Sequence, residues 1–243
     1  MSPLKILIFG ATSTIAHECA RRFNEQNNCI FTLIGRNISE LNKNELDLKA
    51  RNNKSSVEIM KLDFSELNFI KHLNKDLINV DIIILAHGVM FNDMVTEKNI
   101  IKMNQININS YSIILNYIKL NAKLRKIKVV IFGSVAGDRG RQSNLWYGST
   151  KSYLFTLYQG LQHDAAINKK NIQYIFIKPG PTLTKMTMKI YNSFNFASAK
   201  NVSKIIVDGI QKNKKVIYVP AKWTFIMFII KILPNFIFNK LKI

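Results

Sequence analysis

The stretch that decides the fold is residues 5–16, which read KILIFGATSTIA. An apolar run long enough for one strand stops at Gly10, and a helical pattern begins near Thr14. Gly10 lets the backbone turn sharply, and the small side chains after it let a phosphate group approach the free N–H groups of the helix. Thr14 and Ala16 replace two glycines that are usual in such turns, so this segment alone also fits an ordinary strand–helix turn.

Six further apolar runs alternate with helical patterns. The runs are Cys29–Ile34, Val57–Leu62, Asp81–Leu85, Val129–Phe132, Ile172–Ile177 and Val216–Val219. The helical stretches are Thr14–Asn24, Ser65–Lys75, Glu97–Lys126, Trp146–Asn168 and Val202–Lys212. Strands that are apolar throughout are buried on both faces, and strand–helix alternation gives a parallel sheet. The sequence predicts an α/β fold of Rossmann type: a doubly wound, parallel, seven-stranded sheet with helices on both faces and ligands at the carboxyl ends of the strands.

The composition limits the kinds of partner. The 243 residues include 35 Lys and Arg but 15 Asp and Glu, for a formal net charge of +20. This excess suits anionic partners, but the lysines are scattered and we favour a compositional bias as the larger cause. No nucleic-acid-binding motif is found, so we expect no nucleic-acid partner. Cys19 and Cys29 lack metal-binding spacing, which predicts core thiols and no metal site, and the absence of a signal-peptide pattern predicts a cytoplasmic protein.

The end of the second strand indicates which dinucleotide would bind. An NAD-selective site usually has a carboxylate there, to accept hydrogen bonds from the ribose hydroxyls. This sequence has Gly35 followed by Arg36. A guanidinium binds a 2′-phosphate in a bidentate manner, so the pattern favours NADP(H). The alternative is a solvated loop arginine.

A second group of residues carries acid–base chemistry. Ser134 follows a strand, Tyr147 comes thirteen positions later, and Lys151 lies four positions after Tyr147. On a helix, Tyr147 and Lys151 share a face, so the ammonium is expected to lower the phenol pKa toward neutrality. A phenol tuned in this way can exchange a proton with a carbonyl oxygen, and the serine hydroxyl can hydrogen-bond the same oxygen.

This combination resembles the short-chain dehydrogenase/reductase family over about residues 4–220. The resemblance implies an NADP(H)-dependent oxidoreductase that reduces a carbonyl to an alcohol. In it, Tyr147 donates or accepts the proton, Ser134 orients the carbonyl, and Lys151 also holds the nicotinamide ribose. The family's fourth catalytic residue is an asparagine on the long helix after the fourth strand, and spacing favours Asn109, with Asn107 second.

The resemblance also implies a set of cofactor-binding residues. They are Gly10, Thr12, Ser13, Thr14, Ile15, Arg36, Asp63, Phe64, Ala86, Gly88, Tyr147, Lys151, Pro179, Gly180, Thr182 and Thr184. Asp63 and Phe64 are similar to the pair that contacts the adenine, and Thr184 fits a carboxamide or phosphate contact. Leu85-Ala86-His87-Gly88 departs from the usual Asn-Asn-Ala-Gly, and His87 is expected to form only local hydrogen bonds.

The segment Lys185–Ala197 is predicted to be a mobile substrate lid. Its large apolar side chains suggest an apolar or amphipathic substrate, with simple lid packing as the alternative. They are Met186, Met188, Tyr191, Phe194 and Phe196.

We expect residues 1–221 to form the NADP-binding catalytic domain and residues 222–243 an apolar, basic tail. Two short helices of this tail fit a membrane interface, while packing on the sheet or on a second subunit is the alternative. The tail and the phosphate turn resemble one branch of the family, the decaprenylphosphoryl-2-keto-ribose reductases of surface-polysaccharide synthesis, which reduce a keto-sugar carried on a polyprenyl phosphate.

Two other functions stay open. One is a 3-oxoacyl or sphingoid-type lipid ketoreductase, and the other is a non-catalytic nucleotide-sensing scaffold. The family resemblance also implies a homo-oligomer.

Overall fold

The computed structural model describes residues 2–66, 68–91, 95–122, 126–188 and 196–241. Its strands are β1 (Leu4–Phe9), β2 (Cys29–Gly35), β3 (Ser56–Lys61), β4 (Ile82–Leu85), β5 (Ile127–Phe132), β6 (Ile172–Pro179), β7 (Thr182–Leu183), β8 (Ala197–Ser198) and β9 (Val216–Val219). Its helices are α1 (Thr14–Gln26), α2 (Ile38–Arg51), α3 (Glu97–Asn104), α4 (Ser110–Asn121), α5 (Leu145–Ile167), α6 (Ala199–Gln211), α7 (Lys222–Ile232) and α8 (Asn235–Phe238).

The main sheet confirms the predicted fold class. Seven parallel strands lie in the order β3-β2-β1-β4-β5-β6-β9. Successive side chains of a strand point to opposite faces, so β1 contributes to two cores. Ile6 and Ile8 pack with α1, α2 and α6, while Leu7 and Phe9 pack with α4 and α5. The inner strands β1, β4, β5 and β6 are therefore largely buried on both faces, as predicted. The prediction is wrong for the edge strand β3, in which Ser56, Glu58 and Lys61 are exposed, because among the described residues no further strand or helix covers that side as fully. The strand ends where polar motifs lie form one edge of the sheet.

Two predicted helices differ in the structure. The stretch Ser65–Lys75 contains a short 3-10 turn at Phe69–His72, and a second turn follows at Lys75–Ile78. The Asn74 side chain accepts a hydrogen bond from the Asp76 amide, a local bond that competes with a continuous helix.

The long helix predicted over Glu97–Lys126 is divided. A π turn at Gln105–Asn109 separates α3 from α4, and α4 ends at Asn121. Residues 123–125 lie outside the described residues. Across the described ranges, no helix is both long and apolar enough to cross a bilayer.

Candidate active site

A cavity of about 620 Å³ opens at the carboxyl ends of the strands. Ser134 and all sixteen residues predicted to bind the cofactor line it; Asn109 is the one predicted site residue that does not. The sheet topology explains most of this convergence, because parallel strands end at a common edge and most of the motifs lie at strand ends. Tyr147 and Lys151 instead reach the cavity from helix α5.

The turn after β1 forms one end of the cavity. Gly10 has a φ of +78°, which favours glycine, and a Cβ there would lie 2.4 Å from the His87 backbone nitrogen. Helix α1 begins at Thr14, and the side chain of its N-cap, Ser13, makes no capping hydrogen bond. The turn thus presents a close-packed backbone and a helix N-terminus to the cavity, an arrangement suited to a phosphate group.

Arg36 and Asp63 lie near each other at the ends of β2 and β3. Burial tends to raise the pKa of Asp63, but hydrogen bonds from the Ser65 amide and hydroxyl, at 2.9 and 2.7 Å, and the charge of Arg36 lower it overall. Arg36 is exposed at the cavity rim. This end of the cavity can therefore offer a guanidinium to a phosphate and a carboxylate to a hydrogen-bond donor.

The three predicted acid–base residues come together beside β5. Ser134 hydrogen-bonds the phenol of Tyr147, and its hydroxyl accepts from the Ala136 amide at 3.1 Å. Lys151 is 4% exposed, its Nζ lies 5.6 Å from the centroid of the Tyr147 ring, and it donates to the Phe132 carbonyl at 3.1 Å. The geometry provides a proton donor, a hydroxyl that orients it and a nearby cation.

The electrostatics of this group differ from the sequence expectation. Burial raises the pKa of Tyr147 to about 12, and the hydrogen bond with Ser134 offsets part of that rise. Burial also lowers the pKa of Lys151 to about 8. The expected lowering of the phenol pKa by Lys151 is therefore wrong for this structure, because desolvation favours the neutral form of each group.

The asparagine prediction needs correction. Asn109 is exposed, and its amide donates to Gln105 Oε1 at 2.9 Å. Asn107, the second candidate, is fully buried and is bonded to both backbone groups of Val89 and to the Thr150 hydroxyl. The π turn explains the difference, because its wider winding changes which residues face the sheet relative to a regular α-helix.

His87 lines the cavity between two rings. Its imidazole stacks on Phe64 at 4.3 Å and on Tyr111 at 4.0 Å, and Nε2 lies 2.8 Å from the Ser110 hydroxyl. Burial, and then the charge of Lys151, lowers its pKa well below the ordinary value. His87 is thus a neutral ring that supports the cavity floor, as expected of a residue with local hydrogen bonds.

The predicted lid is described only in part. Met186 and Phe196 line the cavity, whereas Met188 is 68% exposed. Tyr191 and Phe194 lie outside the described residues.

Sequence reasoning missed one residue of the cavity wall and one ion pair close to the cavity. Trp223, in the first turn of α7, packs so closely on Gly180 that a Cβ there would lie 2.0 Å from the indole nitrogen. The sequence places Trp223 in the apolar tail, and only its position four residues after the last strand distinguishes it. The missed ion pair is buried and joins Lys178 to Asp138, whose positions are forty residues apart and carry no sequence signal.

This ion pair joins the segments that carry the site. Asp138 belongs to the loop after Ser134, and Lys178 precedes the Pro-Gly segment. Tyr218 of β9 donates to Asp138 Oδ2 at 2.8 Å, and Lys178 Nζ lies 3.4 Å from the centroid of the Phe155 ring in α5. These contacts therefore join the loop after β5, strand β6, strand β9 and helix α5 around the site.

Comparisons with known proteins agree with this geometry. The family model of the short chain dehydrogenases matches residues 5–194. The chain belongs to this family. Over 244 aligned residues it is 23% identical to another oxidoreductase, Rv2073c of Mycobacterium tuberculosis, with 97% of this chain and 96% of that one covered.

Solved short-chain dehydrogenase structures have the same fold. A short-chain dehydrogenase from Sphingobium yanoikuyae in complex with NADPH gives a TM-score of 0.76 at 18% identity, covering 96% of this chain and 97% of that one. An alcohol dehydrogenase from Thermococcus sibiricus complexed with 5-hydroxy-NADP gives 0.78 at 16% identity, covering 90% and 95%.

Proposed function

We propose that this short-chain dehydrogenase reduces a carbonyl to an alcohol with NADPH. The observation that carries the proposal is the meeting of Ser134, Tyr147 and Lys151 in one cavity whose far end is a phosphate-type turn. NADPH, when bound, supplies the hydride from its nicotinamide ring. The residues of the chain bind it, orient the substrate and supply the proton.

Tyr147 is the proton donor. With a phenol pKa of about 12, it holds its proton at neutral pH and can give it to a carbonyl oxygen as negative charge develops there. The Ser134 hydroxyl lies beside the phenol, and when substrate is bound its one hydrogen turns from the phenol to the carbonyl oxygen, which then accepts from both residues. Lys151, with a pKa of about 8, is a cation at neutral pH and stabilises the phenolate that remains. Asn107, buried beside Gly88, positions the backbone next to Lys151.

The cofactor assignment rests on Arg36. No carboxylate ends β2, so the repulsion that an acidic residue at that strand end would exert on a 2′-phosphate is absent, and the exposed guanidinium of Arg36 can bind the phosphate. The turn at Gly10 fits a cofactor phosphate, because it leads into the N-terminus of α1, whose cap Ser13 makes no side-chain hydrogen bond and lines the cavity. The two structural relatives described above carry NADPH and a hydroxylated NADP, which supports the same choice.

The substrate class follows from the remaining wall. Met90, Met186, Phe196 and Trp223 give the cavity an apolar side, which favours an amphipathic carbonyl compound. The leading candidate is a keto-sugar on a polyprenyl phosphate in surface-polysaccharide synthesis, and the alternative is a 3-oxoacyl or sphingoid-type lipid. We further propose a homo-oligomer that works at the inner face of the membrane, with residues 222–243 in contact with it.

The test is a titration of the purified protein with NADPH and NADH, followed by a carbonyl screen that begins with polyprenyl-linked keto-sugars. We expect tighter NADPH binding and oxidation of NADPH with at least one amphipathic ketone. If neither nucleotide binds, the proposal fails. If NADPH binds but no carbonyl compound is reduced, a non-catalytic nucleotide-sensing scaffold takes its place.

A further inference from the structure

Helix α7 has apolar residues on two opposite faces. The inner residues Trp223 and Met227 pack against the domain, and Met227 is fully buried. Phe225, Phe228, Ile229 and Ile232 are spaced to share the opposite face. We call the exposed apolar residues of this region the outer face. They are Phe225 (68% exposed), Phe228 (60%), Ile229 (39%), Ile232 (63%), Phe236 (70%), Ile237 (40%) and Leu241 (45%).

The charges around the outer face are all positive. Lys222, Lys231 and Lys240 are exposed within α7 and after α8. No Asp or Glu occurs in the sequence after Asp208. An apolar strip with lysines beside it complements a bilayer that carries anionic head groups. At 11 residues, α7 is about 16 Å long, about half of a hydrocarbon core, so it would lie in the plane of the interface.

A second copy of the chain is a poorer occupant of this face. In a two-fold contact the same patch meets itself, so a patch whose charged side chains are lysines would face a second patch of the same charge. A net charge of +20 adds to that repulsion. Anionic lipid has the opposite charge and requires no complementary shape.

The inner side of the same helix is tied to the active site at both ends. At its start, Trp223 closes the cavity against Gly180. At its end, Arg139 donates to the Ile230 and Leu233 carbonyls, both at 2.5 Å. A cation at this position satisfies carbonyls that the helix leaves unpaired.

Arg139 also fixes α8. Its guanidinium donates to Asn235 Oδ1 at 2.8 Å and lies 3.8 Å from the centroid of the Phe238 ring. Arg139 follows Asp138 directly, in the loop after the catalytic serine. The tail helices are therefore held by the loop that carries the catalytic chemistry.

We propose that the outer face of α7 and α8 docks on an anionic phospholipid surface while the inner face of α7 remains the wall of the active site. This rests on the proposed function and specifies its partner. One helix diameter, about 10 Å, then separates the cavity from lipid. An amphipathic carbonyl compound could keep its lipid part in the bilayer while its reacting group enters beside Trp223.

The first experiment measures co-sedimentation of the full chain with vesicles of phosphatidylcholine, alone or mixed with phosphatidylglycerol. We expect binding to the mixed vesicles that weakens as salt is added. In the double variant Phe225→Gln/Phe228→Gln, partition should fall by on the order of 10- to 100-fold, because two aromatic side chains no longer insert. NADPH affinity should be unchanged in this variant.

A matched control is available on other faces. Leu46 and Ile167 are each 68% exposed, so Leu46→Gln/Ile167→Gln removes similar apolar area away from the tail. This control should bind vesicles like the original chain. Equal loss in both double variants, no binding to anionic vesicles, or a change of oligomeric state caused by the Phe225/Phe228 variant alone would each overturn the proposal.

A second experiment asks whether α7 keeps its inner contacts on the membrane. Trp146→Phe leaves Trp223 as the single tryptophan, because the chain has two. With vesicles present, Trp223 emission should still respond to NADPH and should resist quenching by brominated lipid. Strong quenching by the lipid would mean that α7 leaves the cavity, contrary to the proposal. Failure of NADPH to bind in the absence of vesicles would instead count against the proposed function.

Discussion

The Nζ atom of Lys151 lies 5.6 Å from the centroid of the Tyr147 ring, and burial favours the neutral form of both side chains. The phenol pKa is raised to about 12 and the ammonium pKa is lowered to about 8, so Lys151 is the group of this pair that titrates near neutrality. The pH response of a carbonyl reduction should therefore report the lysine.

We expect the reduction rate to fall as the pH rises through about 8. Below that pH Lys151 carries its charge and stabilises the developing phenolate, and above it the charge is lost while Tyr147 remains protonated. The measurement is the rate at saturating NADPH across the alkaline range. Lys151→Arg keeps a cation throughout and should remove the fall, whatever its absolute rate. A fall that persists unchanged in this variant would contradict the assignment.

Replacing Tyr147 with Phe removes the proposed proton donor while keeping the ring. The rate should drop by about 10²- to 10⁴-fold, the usual contribution of a positioned acid. NADPH affinity, measured by fluorescence titration, should stay within about twofold. Comparable losses of rate and of NADPH affinity would assign Tyr147 to binding instead.

Asn107 and Asn109 provide a matched pair of variants. Asn107→Ala removes the hydrogen bonds that the buried Asn107 side chain makes with the N–H and the carbonyl of Val89. This loss should lower the free energy of unfolding by about 1–3 kcal/mol and should also reduce the reduction rate. Asn109→Ala removes an exposed hydrogen bond and should leave the free energy of unfolding and the reduction rate unchanged within error. Urea unfolding and rate measurements on the two proteins test this, and the reverse pattern would restore Asn109 as the functional residue.

Arg36→Ala should weaken NADPH binding much more than NADH binding. Hydrogen bonds to a charged group contribute about 1.5–3 kcal/mol, which corresponds to roughly 10- to 100-fold in the dissociation constant. Arg51→Ala, at the other end of α2, is the control, because Arg51 pairs with Asp47 at 3.0 Å away from the cavity. Equal weakening of both nucleotides by Arg36→Ala would rule out a role for Arg36 in 2′-phosphate recognition.

Because the ion pair between Asp138 and Lys178 is buried, removing one of its charges should lower the free energy of unfolding. Lys178→Met leaves a buried carboxylate without its cation and should cost about 3–5 kcal/mol in unfolding experiments. Adding Asp138→Asn should recover part of that loss, since the uncompensated charge is then gone. A double variant that is as unstable as the sum of the two single variants would mean that the residues act independently.

The sequence was informative where function depends on short spacings. The strand ends, the phosphate turn and the Tyr147–Lys151 pair could all be predicted, because each is local in the chain. Asn107 could not be separated from Asn109, since a single π turn changes which side chain faces inward and leaves no compositional signal. Lys178 and Asp138 were missed because their pairing depends on the order of strands in space. The pKa values were misjudged because burial, which sequence spacing does not reveal, outweighs the effect of a neighbouring charge.

The contact between Trp223 and Gly180 has a practical consequence for anyone who shortens this protein to improve its behaviour in solution. Cutting the chain before Lys222 would remove the apolar exterior, but it would also remove Trp223 from the cavity wall and open the cavity to bulk water beside Gly180. A shortened protein that dissolves well and reduces nothing would say little about the enzyme. Polar replacements at Phe225 and Phe228 are the safer route, because they change only exposed side chains and leave Trp223 in the cavity wall.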